Sequence, residues 1–195
     1  MSRINMGNQI SIPMPVALVG ALVDDKPNFL AVGWVSRVNH QPPMLAVALN
    51  KQHHTPKGIV ENGTFSVCFP DVAMEQVTDY CGIVSGRKAD KSQLFELFYG
   101  ETETAPMIAE CPLNLECTLV QTVELPSNNL YIGEIVAGYS EERYLTAGKL
   151  DFKKLDPLLL TMPDNTYWRF GEPVGKAWKD GVTLKNQLEE NNAQI

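Results

Sequence analysis

The chain has 195 residues, 44% of them hydrophobic and 20% charged, a composition that can bury one sizeable core within a single domain. Its net charge of −7 excludes the basic footprint of a nucleic-acid-binding protein. No apolar run reaches the ~20 residues that a bilayer crossing needs, and the polar Asn5, Asn8 and Gln9 do not make a secretion signal, so a cytoplasmic setting with no membrane partner is expected.

Taken in order, residues 1–13 read as an irregular arm. Residues 15–23 are β-rich, with Gly20 placed as a bulge. Asp24 to Asn28 has turn chemistry, and residues 29–38 continue as the second strand of a hairpin. Pro42 and Pro43 break the chain before an apolar strand at 44–49. Thr55 suits a helix N-cap and Pro56 the first helical position, so a helix runs from there to Asn62 and Gly63. Residues 65–69 form a strand ended by Pro70, and Asp71 caps a second helix that Gly82 stops. A short amphipathic piece follows at 92–99. Residues 113–125 alternate as a strand, with Leu113, Leu115, Cys117, Leu119, Gln121 and Val123 on one face. A turn at 126–129 leads to its partner at 130–139. Helical or irregular segments fill 145–160. Residues 1–184 form one domain, and 185–195 a polar, frayed tail. Hairpins interrupted by short helices give a mainly β fold with helical insertions, a β-barrel.

Cys68, Cys81, Cys111 and Cys117 form no CxxC pair and read as reduced, packed thiols. The adjacent His53 and His54 lack a third ligand at metal spacing, so no metal site is expected. With no βαβ alternation and no G-x-G-x-x-G after a strand, a Rossmann unit is disfavoured. No side-chain catalytic set stands out, and a bound cofactor is the better carrier of chemistry.

Three constellations remain. Lys51, His54 and Thr55 surround a helix start, where free amides and the helix dipole favour phosphate; the alternative is a capped helix with solvated neighbours. Asn28, at the hairpin turn, precedes Ala31, Val32, Gly33 and Trp34, where the glycine suits close approach of something flat; the alternative is a core strand with Trp34 inside. Residues 79–91 gather Tyr80, Cys81, Gly82, Ser85, Gly86, Arg87, Lys88 and Lys91. The two glycines permit positive φ and close approach of a ligand, and the amides near Ser85 and Gly86 can form an anion nest. The same stretch also reads as a helix exit followed by a solvated basic turn.

Residues 79–82 (Asp-Tyr-Cys-Gly) leading into Ser85-Gly86-Arg87 and Asp90-Lys91, and residues 109–117 (Ala-Glu-Cys-Pro-Leu-Asn-Leu-Glu-Cys), carry a family resemblance. Supporting marks are Pro42-Pro43-Met44, residues 130–136 (Leu-Tyr-Ile-Gly-Glu-Ile-Val) and Tyr167-Trp168. From about Pro13 to Val182 the chain resembles the flavin reductase-like family, with its FMN-binding split β-barrel, and within it the flavoredoxin branch. The resemblance implies a homodimer with one FMN per subunit near the interface. It also implies hydride or electron transfer through FMN, from NAD(P)H or from a redox protein.

By position it assigns Asn28, Ala31, Val32, Gly33 and Trp34 to the isoalloxazine edge, and Lys51, His54 and Thr55 to the phosphate. It assigns Tyr80, Cys81, Gly82, Ser85, Gly86 and Lys91 to a lid, leaves Arg87 and Lys88 facing water, and brings Trp168 from the partner subunit. The chain departs from the family in having Ala31 and Gly33 where hydroxyl residues are common and Lys51 where arginine is common, which forgoes bidentate phosphate contact. A non-catalytic FMN electron carrier, and a split barrel that binds haem or no ligand, are the rival readings.

Overall fold

The computed structural model describes residues 3–10 and 12–192. Its order is β1 (Met14–Pro15), β2 (Ala17–Val23), β3 (Lys26–Val32), β4 (Val35–Asn39), β5 (Met44–Asn50), α1 (Thr55–Asn62), β6 (Thr64–Phe69) and α2 (Glu75–Ile83). Then come β7 (Leu97–Phe98), β8 (Met107–Ile108), β9 (Leu113–Glu124), β10 (Asn128–Tyr139), β11 (Leu145–Thr146), β12 (Lys149–Leu150), α3 (Phe152–Leu155), β13 (Leu158–Thr161), β14 (Thr166–Arg169) and α4 (Gly181–Asn192). No described helix is long and apolar enough to cross a membrane.

The main sheet has seven antiparallel strands in the order β3-β2-β6-β9-β10-β5-β4. Its two edge strands, β3 and β4, are consecutive in the chain, so Gly33 and Trp34 link one edge to the other and the sheet closes. The Ala48 amide donates to the Trp34 carbonyl at 2.9 Å across that link. Ala17, Val19, Val47, Phe65, Val67 and Tyr131 fill the barrel, with Ile59 of α1 closing one end. A side chain of this kind, fully buried, contributes about 1.5–3 kcal/mol. A second core lies outside β2 and β3, where Leu18 and Phe29 pack against Met74 and Cys81 near α2 and against Met107, Ile108 and Cys111. β2 is therefore apolar on both faces.

Several elements differ from the sequence expectation. The β2–β3 turn is only Asp24 and Asp25, with φ of 51° and 60°, the left-handed pair a two-residue hairpin turn requires. Asn28 thus sits inside β3 rather than in the turn. Gly20 is not a bulge: β2 pairs without a slip on both sides, and a Cβ there would meet Ser66 Oγ at 2.4 Å. The strand read over 29–38 is two strands on opposite sheet edges. α1 starts at Thr55 with His54 as its cap residue, and no side chain caps it.

Asp71 accepts from the Ala73 and Met74 amides, capping a 3-10 turn that leads into α2. Gly82 lies within α2, which ends at Ile83 with Val84 as its cap residue. Neither Gly82 nor Gly86 has positive φ. β9 is buried on both sides at its start, where Asn114 and Glu116 are inside, so one-sided alternation fails there. Residues 145–160 contain β11 to β13, and β13 joins β1 and β14 in a three-stranded sheet. The tail is helical as α4, with its described side chains exposed; residues 193–195 of the expected frayed tail lie outside the described residues, as do 1, 2 and 11 of the arm.

Candidate functional site

Two neighbouring cavities share His53 in their linings, one of them at the Gly33–Trp34 link. One, of about 320 Å³, lies over the ends of β3 and β5, with Ala31, Val32, Gly33 and Trp34 along one side and Met14 and Leu160 of the small sheet opposite. Trp34 is half-exposed here, not packed inside the barrel. The other, of about 280 Å³, is walled by Asn28, His54 and Thr55, by the α2 exit with Gly82, Ser85 and Gly86, and by Lys91. His53 borders both. A mostly apolar slot and a space rich in hydrogen-bond donors therefore meet at His53.

Local bonding sets this second space. Asn50 Oδ1 accepts from the Gln52 amide at 2.9 Å, and the His53 amide donates to the Asn50 carbonyl at 3.0 Å, so the link into α1 is a tight turn. Arg87 Nη1 donates to the Gln52 carbonyl at 2.8 Å, which ties the loop after α2 to that turn. Arg87 thus has a partner across the trough instead of facing only water. Asn28 Nδ2 donates to Thr55 Oγ1 at 2.7 Å, and both residues are buried; the Thr55 hydroxyl joins α1 to β3 instead of capping the helix.

Gly86 presses on this pair: a Cβ there would lie 1.8 Å from Asn28 Oδ1 and 3.3 Å from His54 Cδ2. Gly82 is under less demand, with Ala31 Cβ at an ordinary 3.5 Å. Lys91 is buried, and its ammonium donates to the Cys81 carbonyl at 3.0 Å and the Val84 carbonyl at 2.8 Å. It satisfies the carbonyls at the end of α2, as a cation at a helix C-terminus should.

The space carries a positive bias although the whole chain is acidic. Burial, then Lys91 and Arg87, hold His53 below the usual imidazole range. Burial, then Arg87, do the same to His54 against the opposing pull of Asp24. Burial also lowers Lys91. An anion placed there offsets the repulsion from the neighbouring cations.

Not every expected residue converges. Lys51 Nζ pairs with Glu124 Oε1 at 2.9 Å and lines neither cavity. Tyr80 is exposed on α2 and lines neither cavity. The Cys81 thiol packs in the outer core, and only its carbonyl reaches Lys91. Trp168, on β14, is half-exposed and donates through Nε1 to Thr161 Oγ1 at 2.8 Å, apart from the trough within one chain. Its neighbour Tyr167 donates to Asp79 Oδ1 at 3.0 Å, fastening β14 to α2; burial, then Asp79, push that phenol up to about 12.

Gln52, His53 and Asn128, and also Met14, Leu160 and Met162, line the two cavities without being expected there from the sequence. The run of polar residues from Asn50 to His54, directly after an apolar strand, was a usable signal for the first two. Met14 and Leu160 meet only through β1–β13 pairing, which no local pattern announces.

Among the described residues, no three His, Cys, Asp or Glu side chains gather as a metal set. The four cysteines are free and buried. Burial pushes Cys68 up to about 12 and Cys81 up to about 11, and raises Cys111 and Cys117 as well. Since the thiolate is the reactive form, a chromogenic disulfide reagent at neutral pH is expected to label no thiol promptly in the native protein and all four after unfolding. Prompt labelling of one thiol in the native protein would show a reactive cysteine that the burial denies.

Residues 7–160 match the family described as flavin reductase like domain. The flavoredoxin of Methanosarcina acetivorans is 60% identical in its crystal structure, with a TM-score of 0.92 over 94% of this chain and 100% of that one. The flavoredoxin of Desulfovibrio vulgaris (Miyazaki F) is 32% identical, with a TM-score of 0.86 over 93% of this chain and 100% of that one. An uncharacterized protein of Archaeoglobus fulgidus is 33% identical over 114 residues, a match spanning 57% of this chain and 64% of the relative.

Proposed function

The chain belongs to the flavin reductase-like family, and from that premise we propose that it is an FMN-binding oxidoreductase of the flavin reductase and flavoredoxin type. The observation that carries this reading is the adjacency, at His53, of a mostly apolar slot and a donor-rich, positively biased space. A ligand that is flat and apolar at one end and anionic at the other fits that sequence of surfaces. The steric fit of Gly86 against Asn28 keeps the loop backbone, rather than a side chain, at the polar end.

In this reading Ala31, Val32, Gly33 and Trp34 line the ring, with Met14 and Leu160 opposite. Asn28, bonded to Thr55, fixes the wall between ring and tail. His54, the first amides of α1 and the amides near Ser85 and Gly86 hold the phosphate. Lys91 holds the carbonyls at the end of α2 and so sets where the lid begins. When bound, FMN supplies two-electron hydride acceptance and one-electron transfer. The chain's part is to orient the flavin, exclude water from one side and balance its charge; no side chain is assigned as acid, base or nucleophile.

The electron donor is a nicotinamide nucleotide or a redox protein. The flavoredoxin names of the two solved relatives support the carrier form. Anaerobic bleaching by NADH or NADPH marks a reductase, whereas bleaching only by dithionite or a partner protein marks a carrier. We also propose a homodimer, supported by the half-exposed Trp168 beside exposed Phe170 and the fully exposed Val174 and Trp178.

Flavin absorbance of the purified protein, or its uptake of added FMN, tests the reading; a colourless protein that takes up neither FMN nor riboflavin sinks it. Gly86→Ala forces Asn28 or the loop to move, and if the overpacking cost of about 1–3 kcal/mol falls on the bound state, FMN affinity drops by about fivefold or more. Lys51→Ala, which removes only a contact to an exposed carboxylate, is expected to leave FMN affinity within about twofold. Equal losses in the two variants would return Lys51 to the site.

A further inference from the structure

From Trp168 to Glu190 every residue is exposed, yet this arm is locally ordered. The Lys176 amide donates to Asp180 Oδ2 at 2.7 Å, and the Lys176 carbonyl accepts from the Lys179 amide at 3.3 Å and the Asp180 amide at 3.1 Å. Gly175 leaves room for that carboxylate, since a Cβ there would lie 2.6 Å from Asp180 Oδ2. Within this closed turn stands Trp178, with φ of 58° and 98% exposed. A left-handed backbone is uncommon for an aromatic residue, and an indole has a large apolar area to gain from burial. The turn therefore holds Trp178 out, with the fully exposed Val174 before it and the exposed Leu184 and Leu188 after it on α4.

A groove of matching character lies at the root of the same arm. A cavity of about 860 Å³ opens between α3 and the chain leaving β14. The rings of Phe152 and Phe170 stack along it, with centroids 6.2 Å apart, and both are half-exposed. Its charges are already met. Asp156 pairs with Arg169 and Glu172 with Lys153 from one wall to the other, and Asp151 accepts from Thr146 Oγ1 at 2.7 Å and from the Lys153 amide at 3.0 Å. An apolar group can enter without stranding a lone charge. Trp178 does not fill the groove of its own chain, although Pro173 lies on the rim.

We infer that Trp178 seats in the Phe152–Phe170 groove of a second copy of this chain, the two arms exchanging reciprocally about a twofold axis. The inference deepens the homodimer proposed above and rests on it, but not on the flavin. Phe152, Phe170, Val174, Trp178, Leu184 and Leu188 together expose apolar area on the order of the 800 Å² per partner that a stable interface buries.

Sedimentation equilibrium of the full chain tests the pairing. Trp178→Ser is expected to raise the dimer dissociation constant by about tenfold or more, as loss of a buried interface tryptophan does, and Phe152→Ser to do likewise. Both side chains are half-exposed or more within one chain, so neither change opens a cavity in the core. The variant carrying both changes is expected to dissociate no more readily than the weaker single variant, because the two remove one contact. Losses that multiply, or a dimer indifferent to Trp178→Ser, overturn the pairing.

Cross-linking separates exchange from a fold-back within one chain. Trp178→Cys and Phe152→Cys chains are mixed and treated with a short bismaleimide, which the four buried native thiols do not meet. Two chains linked in the mixture, and in neither variant alone, are the expected result. A link formed only inside a single chain that carries both cysteines overturns exchange. A protein that stays monomeric at every concentration removes exchange and the homodimer together, whereas a dimer without this link removes exchange alone. Neither failure bears on flavin uptake, which absorbance reads separately.

Discussion

Gly58→Ala is expected to destabilise the protein by about 2–4 kcal/mol, because overpacking costs 1–3 kcal/mol and more where backbone must move. Helix propensity alone predicts the opposite sign, since alanine is the better helix former by about 1 kcal/mol. The sign is decided by where α1 lies. A Cβ on Gly58 would meet the Leu22 carbonyl oxygen at 1.9 Å, its carbon at 2.7 Å and Val23 Cγ2 at 2.9 Å. Two of these atoms are backbone of β2 and cannot rotate away.

Asn62 Nδ2 holds the same approach by donating to both the Leu22 and Gly58 carbonyls at 2.9 Å. Alanine must lift α1 off β2, and with it His54 and Thr55 at the trough. The melting temperature should fall by about 5–12 °C, given 2–4 °C per kcal/mol for chains of this size, and FMN affinity should fall with it. An unchanged or raised melting temperature would show that the helix does not press on the strand.

The second large effect concerns Glu116, a fully buried carboxylate with no cation beside it. Oε1 accepts from the Thr102 amide at 2.7 Å and the Thr102 hydroxyl at 2.6 Å; Oε2 accepts from the Glu101 amide at 3.0 Å and the Tyr139 hydroxyl at 3.2 Å. Gly100 leaves the room, since a Cβ there would lie 2.2 Å from Oε2. Burial pushes this carboxyl up, but the Thr102 hydroxyl, the Thr102 and Glu101 amides and the Tyr139 hydroxyl outweigh it and hold it below the usual range.

Glu116→Gln replaces half of that acceptor with an NH₂ group facing donors. The expected cost is about 2–4 kcal/mol near neutral pH, since unsatisfied buried groups cost 1–3 kcal/mol and charged ones more. The pH dependence has a definite sign. A carboxyl with a depressed folded-state pKa contributes stability above its unfolded value and loses it as pH falls through the folded value. The gap between parent and variant in urea unfolding should therefore be full well above the ordinary glutamate pKa of about 4.3 and shrink as pH falls below it towards the lower folded-state value. A gap independent of pH would mean that the carboxylate charge is not what the loop recognises.

The sequence reading succeeded where structure is set locally. The hairpins β2–β3 and β9–β10 and the body of α1 follow from alternation, turn residues and Thr55-Pro56-to-Gly63 punctuation. It failed where a distant residue decides. α2 runs through Gly82 because Lys91 supplies donors to its last carbonyls from beyond the loop. β3 and β4 read as one strand because the alternation continues across Gly33 and Trp34, and only closure of the sheet separates them.

The site shows the same division. Asn28, residues 31–34, His54, Thr55, Gly82, Ser85 and Gly86 do converge. Lys51, next to them in sequence, is drawn off by Glu124 at the far end of β9. Cys81 is adjacent to Gly82, but the α-helical rotation of about 100° per residue turns its thiol into the outer core.

The pairing of Met14 with Leu160 has a consequence for how the protein is made. The wall opposite Trp34 is assembled from a strand synthesised almost first and one synthesised late, so on the ribosome the ring slot has no second side until β13 has emerged. The polar end, built from residues 28–91, waits as well, because β6 and β5 are joined only through β9 and β10. Both ends of the trough therefore take shape together, once most of the chain has been made.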